Sequence, residues 1–548
     1  MAVSEQERKY ISGLVEKARA AQEMVADYTQ QQIDDVCLAI GWEVYEDSNI
    51  EQLAQLAVEE TGMGNVEDKI KKHKGKILGV IADIKGAKSV GLIEEDREKK
   101  IKKYAKPVGV VGALTPVTNP TATPGSNAVT VLKGRNAVIF APHPKAKKSS
   151  KLAVDFMRKG LKKVGAPEDL IQIVGEPSID LTAELMKQVD IVLATGGGAM
   201  VRAAYSSGTP AYGVGPGNSV QIIAEDADIS DAVEKISISK VFDYATSCSS
   251  ENSVIIQKSV YEKAIEEFKR RGAYLCSPVE RKKLGEWMWQ PNKKGHITIN
   301  PKIIAQSALR IAADAGLEVP DDTIILMVEG ALPVEEDRFS GEKLSPVLTL
   351  YAYDSFREGL NLLKAVTDNA GRGHSCGIHT FKQEYIEQMS LEMHTSRIMI
   401  RQPQAPANGG NFFNGMPSTV TLGCGTWGGN ITTENIYYKH FLNITWVSEP
   451  FPPKRPSDEE MWGDFWQRRG GPGREGDDKP GGGGSIGSGS SRLGTEGPEV
   501  EAAGESGSGN QSDRGGRQNT GDSGGPETAG GRQNTGDSGG PEAAGGRG

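Results

Sequence analysis

A single cysteine, Cys248, lies among small and hydroxylated residues in the stretch KVFDYATSCSSENSVIIQ (240–257). Many free cysteines are simply buried, and a structural role is the ordinary explanation for one. The neighbours of Cys248 leave space around it and present little apolar surface. Such surroundings favour a nucleophile, which needs an accessible thiolate stabilised by backbone N–H groups, a helix N-terminus or a charge. Residues 208–288 contain no histidine, so a Cys–His pair is not expected.

A second candidate side chain lies in TPVTNPTATPG (115–125), where a β-like run ends and a helical segment is expected to begin. The side-chain NH2 group of Asn119 is a candidate hydrogen-bond donor to an oxyanion. An asparagine before proline equally suits a helix cap or an Asx-turn, and both interpretations stay open from this segment alone.

A third candidate is the glycine-rich turn in ATGGGAMVRAAYSSG (194–208). It matches neither GxGxxG nor GxxxxGK[ST], the two best-known phosphate-loop patterns. Backbone N–H groups at the start of the following helix still suit an anion. Glycine-rich turns between a strand and a helix are common, so this signal is weak on its own.

The elements around these residues are short apolar runs that alternate with helical patterns, which predicts βαβ units around parallel sheets. The first group of runs is VGVVGAL (108–114), AVIFAP (137–142), LIQIVG (170–175) and DIVLATGGG (190–198). The second group is VIIQ (254–257), TIILMV (323–328) and VLTLYAY (347–353). Parallel α/β sheets bind ligands at the carboxyl ends of their strands, which is where the first group ends in Gly or Pro.

Residues 4–90 have helical spacing and form a helical lead-in. The basic run KKIKKYAK (99–106) alternates with Ile and Tyr, which predicts a solvated edge strand. The segment IYYKHFLNITWVS (436–448) predicts a terminal strand pair. Long strands outside the α/β regions suit an oligomerisation element, with ordinary edge strands as the alternative.

Composition excludes several classes of protein. The 548 residues carry a net charge of −9 without a basic stripe, so no nucleic-acid partner is expected. Five widely spaced cysteines without a CxxC motif indicate a reducing compartment, with no disulfide framework and no metal site. The N-terminus lacks an apolar signal segment, and no apolar stretch approaches the roughly 18 residues of a membrane span. We therefore expect a cytoplasmic protein without a membrane partner.

The C-terminal segment 470–548 is rich in Gly, Ser, Pro, Glu and Asp and has no aromatic residue. It contains a tandem repeat, GGRQNTGDSGGPETA (515–529) and GGRQNTGDSGGPEAA (530–544), identical at 14 of 15 positions. Such a composition cannot bury enough apolar surface to offset the entropy of ordering. It predicts a disordered tail without catalytic residues.

The chain resembles the CoA-acylating aldehyde dehydrogenases over about residues 10–465, and most of all the acylating sulfoacetaldehyde dehydrogenases. The motifs that carry this resemblance occur in the family's order: TPVTNPT, PHPKAK, ATGGGAMVRAAYSSGTPA, GVGPGN, the Cys248 segment, EKLSPVL and GCGTWGGN followed by YYKHFLNITW. Because several motifs match in order, the resemblance is specific.

The resemblance implies an α/β aldehyde dehydrogenase-like fold, with a Rossmann-type cofactor domain, an α/β catalytic domain and a small β oligomerisation element. The implied segments are the helical lead-in 1–90, oligomerisation strands 91–107 and 431–450, the NAD(P)-binding domain 108–240, the catalytic domain 241–430, an extension 451–469 and the tail 470–548. A homodimer or homotetramer is implied.

The implied reaction oxidises an aldehyde with NAD or NADP and coenzyme A through a thioester on Cys248. Asn119 and the cysteine's own N–H group would bind the alkoxide. His143, otherwise a turn histidine between two prolines, would contact the adenosine ribose, and Glu342 the nicotinamide ribose. The full implied cofactor-binding set is Thr115, Pro116, His143, Thr195, Gly196, Gly197, Gly215, Glu342 and Leu344.

Val214 separates the acylating class from the hydrolytic one. Hydrolytic aldehyde dehydrogenases resemble one another in a segment reading ELGGK, whose Glu activates water, whereas this chain reads GVGPGN there. Valine cannot accept a proton, so we expect the thioester to last until the coenzyme A thiol attacks it. A hydrolytic enzyme and a non-catalytic scaffold with the same fold are the alternatives.

Three expectations concern the rest of the site. Glu251 is either a local acid or base or, more simply, a solvated loop residue. A sulfonated aldehyde needs a cationic or N–H-rich subsite, for which Arg401 and the loop NGGNFFNG (408–415) are candidates, although Arg401 equally suits the surface. No residue is identified that deprotonates the thiols.

Overall fold

The computed structural model describes residues 3–292 and 294–470. The described residues divide into two units at the boundary between Pro453 and Lys454, and the second is described only to residue 470. The predicted tail beyond residue 470 lies outside the described residues. Within the described ranges, no helix combines the length and apolarity that crossing a membrane requires.

Four helices open the chain as predicted from helical spacing. They are α1 (Glu5–Met24), α2 (Gln30–Glu43), α3 (Asp47–Thr61) and α4 (Val66–Ile84). Ser4 and Thr29 begin α1 and α2 with capping boxes, each pairing with a Glu or Gln three residues later. Asn65 caps α4 by accepting a hydrogen bond from the Asp68 N–H group.

A five-stranded sheet follows, and all its strands are parallel in the order β5-β4-β3-β6-β7. Its strands are β3 (Val110–Thr115), β4 (Ala137–Pro142), β5 (Ile171–Ile173), β6 (Ile191–Thr195) and β7 (Ala211–Val214). The connecting helices are α5 (Ala122–Leu132), α6 (Lys147–Lys163), α7 (Ile179–Gln188) and α8 (Gly198–Tyr205). The four runs predicted as strands in this region are confirmed as β3 to β6. One continuous core joins this sheet to the opening helices.

A seven-stranded parallel sheet has the order β10-β13-β14-β9-β8-β15-β16. Its strands are β8 (Ser219–Ile223), β9 (Glu251–Gln257), β10 (Ala273–Leu275), β13 (Ile325–Glu329), β14 (Val347–Tyr353), β15 (Cys376–His379) and β16 (Ile398–Ile400). Its helices are α9 (Ile229–Val241), α10 (Lys258–Arg270), α11 (Pro278–Met288), α12 (Ala308–Asp314), α13 (Phe356–Asn369), α14 (Gln383–Glu392) and α15 (Gln404–Ala407). A short antiparallel pair, β11 (Trp289–Pro291) and β12 (Ile297–Ile299), lies between α11 and α12.

A three-stranded antiparallel sheet joins distant parts of the chain: β1 (Gly91–Asp96), β2 (Ile101–Pro107) and β17 (Leu442–Ser448). Two expectations are wrong here. The basic strand β2 is central, because β1 and β17 pair with its two edges. The segment 436–448 forms one strand rather than a pair, because Tyr438–Phe441 adopts a 3-10 turn closed by Tyr437 and His440.

The second unit contributes α16 (Asp458–Arg469) to the described residues, with Ser457 as its cap. The predicted α/β class with parallel sheets is confirmed. The boundaries of the segments inside residues 1–453 stay a prediction. The strand β8, which the predicted boundaries place with the cofactor domain, pairs into the seven-stranded sheet.

Candidate active site

Cys248 and Asn119 line one cavity of about 270 Å³. Asn119 comes from the turn between β3 and α5, and Cys248 from the loop that leads into β9. Helix α4 and the loop after α15 complete the walls. The lining residues are Lys71, Lys72, Gly75, Lys76, Asn119, Phe242, Ser247, Cys248, Ser249, Ala405, Pro406, Gly409, Gly410, Asn411, Thr419, Val420 and Leu422. The two predicted catalytic residues thus face the same space.

The chain just before Cys248 has an unusual backbone. Asp243, Tyr244 and Ala245 all have positive φ values, of 49°, 51° and 59°. Non-glycine residues avoid this region, so three in succession must be held by their surroundings. Asp243 supplies that hold, because its buried carboxylate accepts hydrogen bonds from Lys69 (3.1 Å) and Lys72 (2.5 Å). Burial pushes the pKa of Asp243 upward, but the two lysines prevail and lower it.

Lys72 also fixes Asn119. Its Nζ atom donates to the Asn119 Oδ1 atom at 2.8 Å and to the Thr246 hydroxyl at 2.6 Å. With its oxygen taken, Asn119 keeps its NH2 group for another acceptor, and among the described residues that group has no partner. The cap interpretation is wrong, because α5 starts after Thr121 and has no side-chain cap.

His374 lies beside the thiol, with its Nε2 atom 3.2 Å from the Sγ atom of Cys248. The expectation that Cys248 lacks a histidine partner is therefore wrong. His374 precedes β15, whose pairing with β8 brings this distant part of the chain to the cysteine. The geometry is that of a Cys–His pair.

Both members of the pair are in their neutral forms. Burial raises the pKa of Cys248 to about 12, helped by the nearby Glu342. Burial and the positive charge of Arg397 lower the pKa of His374 to about 3. Full proton transfer from a thiol of pKa about 12 to an imidazole of pKa about 3 is unfavourable, so the imidazole can take the proton only in concert with the attack, as the sulfur bonds to carbon and loses its basicity.

A chain of hydroxyl groups continues from the far side of the imidazole. The Nδ1 atom of His374 lies 2.8 Å from the Ser375 hydroxyl, which lies 2.6 Å from the Ser219 hydroxyl. If Nδ1–H donates to Ser375, the Nε2 atom is left as the acceptor that faces Cys248. Arg397 holds the same loop by donating to the His374 carbonyl at 2.8 Å.

The segment GVGPGN packs against the nucleophile. A Cβ atom on Gly217 would lie 2.1 Å from the Cys248 carbonyl oxygen and 3.1 Å from the His374 Cε1 atom. Only glycine permits this approach. Val214 ends β7 and is buried. The segment therefore supplies close backbone contact without a proton acceptor at Val214.

The first set of predicted cofactor residues meets at one edge of the five-stranded sheet. Thr115 ends β3 and is followed by Pro116, and Thr195 ends β6 and is followed by Gly196 and Gly197. The strands β3 and β6 are neighbours in the sheet. From β3 the chain continues to β4 on one side, and from β6 it continues to β7 on the other side. Parallel sheets of this kind bind nucleotides at the point where the strand order reverses. Among the described residues, the buried Thr115 hydroxyl has no hydrogen-bond partner, and a Cβ atom on Gly197 would have no neighbour within 4 Å. Both observations fit a dinucleotide, although the individual contacts stay a prediction.

The remaining predicted cofactor residues are more scattered. His143 caps a 3-10 turn by accepting from the Lys145 N–H group at 3.1 Å, as its alternative turn role requires. Gly215 belongs to the segment beside Cys248. Burial raises the pKa of Glu342 to about 8, and Glu342 is close enough to influence the thiol. Leu344 follows with a positive φ of 44°. Their cofactor roles stay predictions.

Two expectations about charged residues are wrong. Glu251 is fully buried rather than solvated, and its Oε1 atom accepts from the Gln404 N–H group at 2.9 Å. Burial raises its pKa to about 7, but it does not line the cavity. Arg401 lies away from the cavity, donating to the Thr380 carbonyl and stacking on Phe381. Part of the suggested loop, Gly409 to Asn411, does line the cavity.

Sequence reasoning missed the lysines of α4. Lys69, Lys72 and Lys76 occur at spacings of three and four, which places them on one helical face. That spacing was visible in the sequence. No comparable signal pointed to His374, which follows Cys248 by 126 residues.

Comparison with known proteins identifies the family. The sequence profile described as the aldehyde dehydrogenase family matches residues 1–282. The sulfoacetaldehyde dehydrogenase of Acholeplasma sp. is 66% identical over 455 residues, 83% of this chain and 94% of that protein. The chain belongs to the aldehyde dehydrogenase family. The acylating sulfoacetaldehyde dehydrogenase of Bilophila wadsworthia is 59% identical over 84% of this chain and 100% of that protein.

Solved structures of aldehyde dehydrogenases share the fold. An acetylating aldehyde dehydrogenase from Geobacillus thermoglucosidasius matches with a TM-score of 0.78 and 37% identity, covering 82% of this chain and 99% of that one. Propionaldehyde dehydrogenase from Rhodopseudomonas palustris, solved with bound CoA and an acylated cysteine, matches with a TM-score of 0.72 and 26% identity, covering 80% and 97%. The resemblance to acylating aldehyde dehydrogenases and the aldehyde dehydrogenase-like fold are confirmed.

Proposed function

We propose that this aldehyde dehydrogenase oxidises sulfoacetaldehyde, with NAD(P)+ and coenzyme A, to the corresponding acyl-CoA. The observation that carries the chemistry is the pair formed by Cys248 and His374, of which Cys248 lines a cavity together with Asn119. The two relatives with 66% and 59% identity are named for sulfoacetaldehyde, which supports this substrate.

Acylation begins when the Cys248 sulfur attacks the aldehyde carbon and its proton passes to the Nε2 atom of His374. The carbonyl oxygen then carries the negative charge. The Asn119 NH2 group and the Cys248 backbone N–H group can donate hydrogen bonds to this oxygen, because neither has an acceptor among the described residues. Such donors stabilise an oxyanion by about 3 kcal/mol each.

Bound NAD(P)+ supplies the hydride acceptor that turns this adduct into a thioester on Cys248. The strand ends at Thr115 and Thr195 would hold the dinucleotide, with Glu342 toward the reacting end. Assays with NAD+ and with NADP+ would show which nicotinamide cofactor accepts the hydride.

Coenzyme A resolves the thioester. Val214 offers no proton acceptor to water, whereas the neutral His374 can take the proton of the incoming thiol and return one to the departing Cys248 sulfur. Water is also a poorer nucleophile than a thiol toward a thioester. The hydrolytic alternative therefore lacks the carboxylate that activates water in the ELGGK segment, and the scaffold alternative leaves the Cys–His pair unexplained.

We further propose that the three-stranded sheet mediates assembly into a homodimer or homotetramer. The strand β17 is an edge strand whose outer side chains, including Trp446, are exposed. Exposed apolar edges favour pairing with another chain. Sedimentation of the wild type and of Trp446→Glu would test this assembly.

Intact-protein mass spectrometry tests the proposed intermediate. Incubation with sulfoacetaldehyde and either dinucleotide, without coenzyme A, should add one acyl group to the wild type and none to Cys248→Ala. Adding coenzyme A should then remove the group and release acyl-CoA. Absence of any adduct on the active wild type would contradict the thioester mechanism.

A further inference from the structure

We propose that Lys76 is the specificity-determining residue that binds the anionic end group of the aldehyde, a sulfonate in the first instance. This inference rests on the proposed function and names the subsite within the same cavity. Lys76 lies on α4, and its side chain lines the cavity together with Cys248.

Lys76 differs from the other lysines of α4 in having no carboxylate partner among the residues that the structure describes. Within the described part of the chain, Lys72 pairs with Asp243, Lys71 with Glu67 and Lys74 with Asp47. The Nζ atom of Lys76 instead donates to the carbonyl oxygens of Gly409 (2.9 Å) and Gly410 (3.3 Å). An ammonium group has three N–H donors, so one remains for a ligand.

The cavity around Lys76 suits a negative charge. None of its lining residues is acidic, and three are lysines. Of these, Lys72 donates hydrogen bonds to Asp243, Asn119 and Thr246, and Lys71 is 60% exposed and forms an ion pair with Glu67. Among the three lysines of the cavity, Lys76 is therefore the one whose charge can balance that of an anionic substrate.

The electrostatics of Lys76 agree with this placement. Burial and the nearby Lys72 lower the pKa of Lys76 to about 8, while Asp83 and Cys248 oppose the decrease. Lys76 and Cys248 line the same cavity, so the ammonium lies near the reacting sulfur. An anion bound to the Lys76 ammonium would replace part of the hydration that the ammonium loses on burial. The carbonyl oxygens of Gly409 and Gly410 would hold the ammonium in position for that anion.

The test compares three short aldehydes in the CoA-dependent assay: sulfoacetaldehyde, succinate semialdehyde and the neutral propionaldehyde. Lys76→Met should lower kcat/KM for sulfoacetaldehyde by about ten- to a hundredfold more than kcat/KM for propionaldehyde, the usual effect of losing a charged hydrogen bond. Lys76→Arg should retain the preference for the sulfonate. Lys74→Met, on the same helix but outside the cavity, is the matched control.

The succinate semialdehyde arm separates two kinds of anion. If kcat/KM falls equally for both anionic substrates, Lys76 recognises negative charge in general. If kcat/KM falls only for sulfoacetaldehyde, Lys76 recognises the sulfonate group specifically. Either result supports the subsite. Equal losses with propionaldehyde and sulfoacetaldehyde would overturn it, because Lys76 would then only hold the loop at Gly409.

A wild-type measurement covers the case in which the variants fail to fold. Ethanesulfonate should inhibit propionaldehyde oxidation competitively, and the neutral ethyl methyl sulfone should not. Equal inhibition by both compounds would overturn the proposal. If the wild type makes no acyl-CoA from any aldehyde, the proposed function itself fails, which is a different outcome from active enzyme without anion preference.

Discussion

The Nε2 atom of His374 lies 3.2 Å from the Sγ atom of Cys248, and both groups are neutral. This relationship makes the histidine a base that acts during attack rather than a partner in a permanent ion pair. A thiol with a pKa of about 12 supplies very little thiolate at neutral pH, so the reaction needs that base.

Replacing His374 by alanine should lower the rate of the NAD(P)H burst by about 10² to 10⁴-fold, the range for a positioned general base. Rapid mixing without coenzyme A measures that burst. His379, buried on β15, provides a histidine control away from the cavity. An unchanged burst in His374→Ala would remove the histidine from the acylation step.

The pH dependence of the same burst gives a separate prediction. The pKa of His374 is about 3 and that of Cys248 about 12, so neither group titrates between about pH 6 and pH 9. The pair should therefore add no pH dependence of its own to the wild-type burst, and titration of Lys76 and Glu342, whose pKa values are about 8, should affect both proteins alike. Relative to the wild type, the burst rate of His374→Ala should rise about tenfold per pH unit, because attack then depends on the thiolate fraction. Parallel profiles for the two proteins would contradict the role of His374.

Lys72 should act through Asn119. Removing the amide in Asn119→Ala should lower kcat by about 10²- to 10³-fold, as for other oxyanion donors. Lys72→Met should also lower kcat, because the amide loses the 2.8 Å bond that orients it and because Asp243 loses one of its two lysine partners. In the double variant the combined loss should be smaller than the product of the two single losses, since the part of the Lys72 effect that acts through Asn119 is counted only once. Fully multiplicative losses would show that Lys72 does not act through Asn119.

Gly217 should tolerate no side chain. In Gly217→Ala the new Cβ atom would lie 2.1 Å from the Cys248 carbonyl oxygen, so the nucleophile or its neighbour must move. We expect kcat to fall at least about tenfold and the free energy of unfolding to fall by about 1 to 3 kcal/mol. In Gly13→Ala, where the Cβ atom meets nothing within 4 Å, activity should be unchanged. Full activity in Gly217→Ala would disprove this packing.

The parts of the fold that were predictable from sequence are those set by local pattern. The runs at β4 and β14 are apolar and bounded by breakers, and their strands match the predicted ranges. The small, hydroxylated neighbours of Cys248 and the motif TPVTNPT around Asn119 were sufficient to predict both as catalytic residues. The central position of β2 was not predictable, because its covering strand β17 lies more than 300 residues later and pairing partners leave no local mark.

The same limit applies within the site. His374 reaches Cys248 only because β15 pairs with β8, and strand order cannot be read from periodicity. The lysines of α4 had the right spacing, but charged residues at helical spacing usually form a solvated face. Only the structure distinguishes the paired Lys74 from the cavity-lining Lys76.

The most direct test of the central claim is product formation by the wild type from sulfoacetaldehyde, with NAD+ or NADP+, in the presence and absence of coenzyme A. With coenzyme A, we predict continuous turnover to acyl-CoA. Without it, we predict a single burst of about one reduced cofactor per subunit and then a stop, because Val214 cannot activate water. Continuous turnover to the free acid without coenzyme A would contradict the account.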